Sequence, residues 1–187
     1  RDWSSDVCSS DLFAGVEGWF DDIDAHGRDV GLEVEHYVVS SGLLEMIEGC
    51  AVHDRFRKVF ASSYAYDASG RAVWPASAIN YTTKTQYLFR INKGIGNVWD
   101  NSTINLWMPE EERRVPFRRM VFLGDGDTDI PSMKLVREKG GQAVAVFDPE
   151  KFERRLSQGH LERLIAEDRI DHVASADYRP GSLLSSV

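Results

Sequence analysis

Val121-Phe122-Leu123-Gly124-Asp125-Gly126-Asp127-Thr128-Asp129-Ile130-Pro131-Ser132-Met133 is the stretch on which the reading of the fold turns. Three apolar residues run into Gly124-Asp125-Gly126, and Asp129 follows Asp125 by four positions. A short apolar run closed by glycine reads as a buried strand. The glycines permit a tight turn and close backbone approach at its carboxyl end. A helix is expected to begin near Asp129-Ile130-Pro131, with Pro131 in its first turn. Asp125 and Asp129 then meet where strand passes to helix, the place where open α/β sheets hold ligands. Two carboxylates there are costly unless a cation or hydrogen bonds hold them. The plainer alternative is a βα loop whose Asp residues cap the helix and bend the turn.

Outward from this stretch, strands and helices alternate. Val16, Trp19, Phe20 and Ile23 share one helical face, and that helix is expected to end near Gly27. Val34–Val39 reads as a strand ending in Ser40-Ser41-Gly42, with a helix starting at Leu43. Val59 to Val73 reads as a β-hairpin around Asp67-Ala68-Ser69-Gly70. Thr82 to Gly94 is a helix with Leu88 and Ile91 on one face and a terminal glycine. Trp99–Phe117 is irregular. Gln142–Phe147 is a second buried strand, Phe152–Glu167 an amphipathic helix, and Asp171–Ala174 a short last strand. Such alternation with short loops implies an α/β fold: a Rossmann-like, mostly parallel sheet with flanking helices and a small hairpin insert.

The 187 residues suit one domain, taken as 13–187. Hydrophobic content of 42% and charged content of 28% are those of a soluble globular protein. The net charge of -8, with no basic stripe, argues against nucleic acid as a partner. No apolar run approaches the ~20 residues that span a bilayer, and no apolar leader segment is visible, so neither membrane nor export is expected. Residues 1–12 have no periodicity and look like the translation of a common DNA sequencing adapter. Setting them aside removes one Arg and three Asp, so the charge becomes -8 + 2 = -6. It also leaves Cys50 without a partner, expected as a small apolar side chain in a reducing cytoplasm. Ser182–Val187 reads as the start of a helix. The five His show no metal spacing, and Trp74, Trp99 and Trp107 are expected to pack.

Three clusters could carry chemistry. Ser40 with Ser41 and Gly42 offers a hydroxyl and backbone N–H groups, the makings of an anion site. Lys84 at a helix start offers a point charge suited to phosphate. Asp125 and Asp129 could hold Mg²⁺, which commonly joins one or two carboxylates to a substrate phosphate. Together they are the parts of a phosphoryl-transfer site. Taken singly, Ser40-Ser41-Gly42 could cap a helix, and Lys84 could be a solvated helix residue, with Lys93 its rival.

Gly124-Asp125-Gly126-x-x-Asp129 resembles the last signature motif of the haloacid dehalogenase superfamily, a large group of Mg-dependent phosphohydrolases. The order of the other clusters is similar too. A hydrophobic strand ending in Ser40 resembles the second motif, and Lys84 the third. Ser40-Ser41-Gly42 and the hairpin after it look most like the phosphoserine phosphatase branch. The resemblance covers roughly Phe13 to Tyr178. It implies Ser40 hydrogen-bonded to a phosphoryl group, Lys84 neutralising it, Asp125 on Mg²⁺, and Asp129 supporting the metal or orienting Lys84. The implied substrate is a small phosphorylated metabolite, hydrolysed in the cytoplasm through an aspartyl-phosphate.

One motif of the superfamily has no counterpart before Ser40. Asp-x-Asp at the end of an apolar strand should supply the nucleophile, yet Asp22-Ile23-Asp24 falls within the first helix. The resemblance therefore implies a chain lacking its central strand and cap, inactive as it stands, with unpaired strand edges and marginal stability. The alternative is a non-catalytic domain that binds a phosphorylated ligand or a protein partner.

Overall fold

In the structure, a computed structural model that describes residues 12–149 and 164–187, the chain is a mixed α/β protein. The described residues form two compact units, one running to Asn80 and including Asp177–Ser186, the other running from Tyr81 to Ala176. The part of the expected helix from 152 to 163, and residues 1–11, lie outside the described residues.

In the first unit, α1 (Val16–Asp29) buries Phe20, whose ring meets His36 and Phe56 edge-on at 4.9 and 5.4 Å. The helix passes through Gly27 rather than stopping there. A Cβ on Gly27 would stand 2.6 Å from the Val34 side chain, so the glycine serves close packing. The stop is Gly31, in the left-handed region at φ 74°. The N–H groups of Gly31 and Leu32 close back on the carbonyls of Arg28 and Gly27, a Schellman ending. β1 (Tyr37–Leu43), β2 (Lys58–Tyr66) and β3 (Ala72–Ser77) form one sheet in that order. β1 lies parallel to β2, and β2 and β3 make the expected antiparallel hairpin. Its turn is held by Asp67, which accepts the N–H groups of Ser69 and Arg71 at 2.9 and 3.0 Å. The short helix α2 (Leu44–Glu48) follows β1 directly.

In the second unit, α3 (Lys84–Lys93) ends at Gly94, which takes the left-handed conformation at φ 74°. β4 (Val121–Gly124), β5 (Gln142–Phe147) and β6 (His172–Ser175) form an all-parallel sheet in chain order. α4 (Ile130–Glu138) connects β4 to β5 and lies against both strands. Met133, Ala143, Ala145, Leu164 and Ile170 make the core beneath it. Arg137 of α4 reaches Asp171 at 2.7 Å, and the other oxygen of Asp171 takes the N–H of Ala143 at 2.8 Å. That link fastens the helix to the sheet.

Among the described residues the strands form two separate sheets, and β1 and β4 each pair on one side only, in keeping with the expectation of unpaired strand edges. β5, paired on both sides, is buried from Ala143 to Val146, whereas Val121 on β4 is 66% exposed. Several other expectations need correction. The first strand begins at Tyr37 and runs on through Ser40-Ser41-Gly42 instead of ending before them. Cys50 is half-buried and disulfide-bonded, not a lone apolar thiol. Trp74, Trp99 and Trp107 stand out in solvent at 71%, 68% and 84% exposure rather than packing. The chain's last residues make a single 3-10 turn, Leu184–Ser186.

Candidate functional site

The carboxyl end of β4 is shaped by Gly124. A Cβ there would run into the Met133 side chain and stand 2.7 Å from the Cβ of Asp129. Only a glycine lets the first turn of α4 fold back so tightly on the strand end. Gly126 is extended, and a 3-10 turn over Asp127–Asp129 closes with the Asp129 N–H on the Gly126 carbonyl at 2.9 Å. This delivers Asp129 to the N-cap of α4 and leaves Pro131 near the helix start.

Asp129 does not cap with its side chain. Its Oδ1 lies 2.6 Å from Lys84 Nζ, the first residue of α3. Both residues are 5% exposed. The pair joins two elements 45 residues apart in sequence, and α3 packs against α4 beside it. A buried ammonium is tolerable only with such a partner. The positive end of the α3 dipole opposes a cation at this position, which makes the carboxylate still more necessary. Asp125 is different: it is exposed and has no hydrogen-bond or ion-pair partner among the described residues. The strand end therefore presents one uncommitted carboxylate next to a charge-balanced, buried Lys–Asp pair.

Lys93, the rival of Lys84, is spoken for. Its Nζ donates to the carbonyls of Ile104 and Leu106 at 2.7 and 2.6 Å. Together with Arg90, whose guanidinium donates to the carbonyls of Asn97 and Asp100 at 2.8 and 3.1 Å, it organises the irregular segment after α3. The role of Arg90 went unseen in the sequence, because backbone carbonyls leave no residue signature.

Ser40, Ser41 and Gly42 belong to the first unit. Between the pairs Val39↔Phe60 and Leu43↔Ser62, β1 spends three residues where β2 spends one. The three bulge out of the ladder. The Ser40 hydroxyl accepts the Gly42 N–H at 3.0 Å, which leaves its own proton to donate. The Ser41 carbonyl is held by the Ser62 hydroxyl at 3.2 Å. Nearby, Glu45 accepts the Tyr64 N–H at 3.0 Å and the Tyr66 hydroxyl at 2.8 Å. Burial pushes Glu45 up, but these bonds and its own N–H outweigh it and hold the carboxyl below its ordinary value. The bulge needs the β2 register to be seen, and so was not readable from β1 alone.

A divalent cation fits what is present only in part. Mg²⁺ keeps several waters and accepts one or two protein carboxylates with a phosphate. Asp125 is available, and Asp129 has a second oxygen beyond the one given to Lys84. Among the described residues, no cluster of three or more acidic, His or Cys side chains could hold a metal. Also among the described residues, no helix is long and apolar enough to cross a membrane.

No family model matches the chain. It is similar to an uncharacterized protein of Borreliella burgdorferi, 25% identical over 193 residues that cover 92% of this chain. The chain spans 64% of that relative's length.

Proposed function

We propose that the protein is a Mg-dependent hydrolase of phosphate monoesters, related to the haloacid dehalogenase superfamily and its phosphoserine phosphatase branch. The observation that carries the reading is the buried Lys84–Asp129 pair beside the uncommitted Asp125 at the end of β4. Lys84 offers a positive charge to a phosphoryl group, and Asp129 holds its side chain in place. Asp125 would hold Mg²⁺, which when bound supplies charge neutralisation to the phosphate. In the first unit, the Ser40 hydroxyl accepts the Gly42 N–H and retains its own proton to donate. The substrate class is a small phosphorylated metabolite.

The nucleophile in this reading is a carboxylate on a strand ending in Asp-x-Asp. Its oxygen attacks phosphorus, the alcohol leaves, and water then hydrolyses the aspartyl-phosphate. Asp22-Ile23-Asp24 cannot serve, since it lies within α1 and Asp24 is bonded to His36 at 2.9 Å. The 187 residues are therefore expected not to turn over p-nitrophenyl phosphate. In a longer form carrying such a strand, Asp125→Ala should abolish Mg-dependent hydrolysis; retained activity would overturn the assignment.

A second reading, a domain that binds a phosphorylated ligand without turnover, is favoured by one observation. Ahead of Ser40, no strand among the described residues ends in Asp-x-Asp. If a longer form with that motif binds inorganic phosphate but hydrolyses no monoester, this second reading prevails.

A further inference from the structure

We infer that Ser62 is a positioning residue that sets the Ser40 hydroxyl for a phosphoryl oxygen, an inference that rests on the phosphate reading above. Ser62 stands on β2 opposite Leu43, where the bulge of β1 closes. Its hydroxyl makes two bonds: it accepts the Ile79 N–H at 3.0 Å and donates to the Ser41 carbonyl at 3.2 Å. The two roles fit together. A serine hydroxyl has a single proton, and accepting from a backbone N–H on one side turns that proton to the other. Ile79 is buried, so the N–H that orients Ser62 comes from a packed residue.

The Ser41 carbonyl and the Gly42 N–H are the two ends of one planar peptide unit. Ser62 grips that unit at its carbonyl, and the Ser40 hydroxyl accepts its N–H at 3.0 Å. Turning the plane moves both ends together. Ser62 thereby sets where the Gly42 N–H points, and that N–H decides where the Ser40 proton is left to point. Gly42 serves the same arrangement: a Cβ there would stand 3.2 Å from Ser40 Oγ and crowd the hydroxyl. Ser41 and Gly42 are exposed and Ser40 is half-buried, so an anion can reach the bulge from solvent. A bulge interrupts the ladder that fixes an ordinary strand and can re-aim a side chain, so its hold has to come from elsewhere. Ser62 supplies that hold through the peptide between Ser41 and Gly42, without itself touching the ligand.

The test uses the 187-residue chain with inorganic phosphate as the probe, and reads its dissociation constant and the Gly42 amide resonance. Ser62→Thr keeps the hydroxyl, and Ser62→Val keeps the shape of threonine without it. Ser62→Val should weaken phosphate binding about fivefold, the net worth of a hydrogen bond, and shift the Gly42 amide before any phosphate is added. Ser62→Ala, which adds no bulk, should show the same loss, and Ser62→Thr should bind as the wild type does. Ser40→Ala should weaken binding at least as much as Ser62→Val. Wild-type affinity retained in Ser62→Val and Ser62→Ala would overturn this inference alone. So would a Ser62→Thr as weak as Ser62→Val, since bulk rather than the hydroxyl would then be responsible. A wild type that binds no phosphate, or binding that Ser40→Ala leaves untouched, would sink the phosphate contact at Ser40 and this inference with it.

Discussion

The two ends of α3 use cations in opposite ways. At its start Lys84 is buried, set against the helix dipole, and paired with the carboxylate of Asp129. At its end Arg90 and Lys93 sit where the dipole favours them and bond to backbone carbonyls of the segment 97–106. The second arrangement satisfies itself: the cations complete helix and loop alike. The first is a charge held in an unfavourable place by a partner from another element. A fold has little reason to build it for stability, since an apolar pair of similar volume usually serves as well. On the proposed reading, the contrast separates an architectural use of charge from one that serves a ligand.

The largest effect should come from breaking the buried pair on one side. Asp129→Ala leaves Lys84 buried without a counter-charge, and such losses cost about 3–5 kcal/mol. Urea unfolding at neutral pH measures it. The informative partner is the double variant Lys84→Met with Asp129→Leu. It should recover most of the loss, because the pair contributes little net stability. If the double variant is as unstable as the single one, the pair is architectural after all, and the contrast between the ends of α3 collapses.

How far this contrast was readable beforehand depends on what each residue touches. Lys84, Asp125 and Asp129 were picked out from residue type and order along the chain, because a strand, two glycines and a helix start are local signals. The choice of Lys84 over Lys93 followed from position in the helix; the structure pairs Lys84 with Asp129 and Lys93 with loop carbonyls, partners that the position alone does not name. The helices and the parallel strands of the second unit were likewise read from local periodicity. What stayed hidden depends on distant partners. The bulge at Ser40-Ser41-Gly42 exists only relative to the register of β2. Gly27 reads as a helix stop until Val34 is seen lying against it. The division into two three-stranded sheets depends on which edges find neighbours, and the apolar runs of β1 and β4 do not reveal that.

At the other end of α3 the effect should be smaller and local. Arg90→Met keeps the buried stem but removes donors to two carbonyls and to the Asn101 side chain. Hydrogen bonds from a charged donor are worth about 1.5–3 kcal/mol, so a loss near 2 kcal/mol is expected. Amide exchange should quicken across residues 95–116 while exchange across residues 125–133 stays as it was. A change in the second range would mean that the two ends of α3 are coupled, and the contrast would fail.

The smallest effect is a pH dependence confined to the same segment. Asp100 lends its carbonyl to Arg90, and its carboxylate accepts the Ser102 hydroxyl and the Thr103 N–H, each at 2.9 Å. The Thr103 hydroxyl and N–H, with Ser102, hold its pKa down to about 2 from 3.8. A carboxyl depressed by folding stabilises the fold fully above its unfolded value. That contribution fades as pH falls from about 4 toward 2. Asp100 is half-buried and its bonds stay within this segment, so the loss should appear as faster local exchange rather than global unfolding. Asp177, also held near 2 but by Arg179 in the first unit, titrates over the same range, so a whole-protein melt cannot separate the two. Exchange at residues 97–106 in wild type and Asp100→Asn can. The variant should lack the acid-dependent step, since an amide has no proton to gain. If both proteins show the same step, the carboxylate of Asp100 does not fasten the loop, and the anchoring at this end of α3 rests on Arg90 and Lys93 alone.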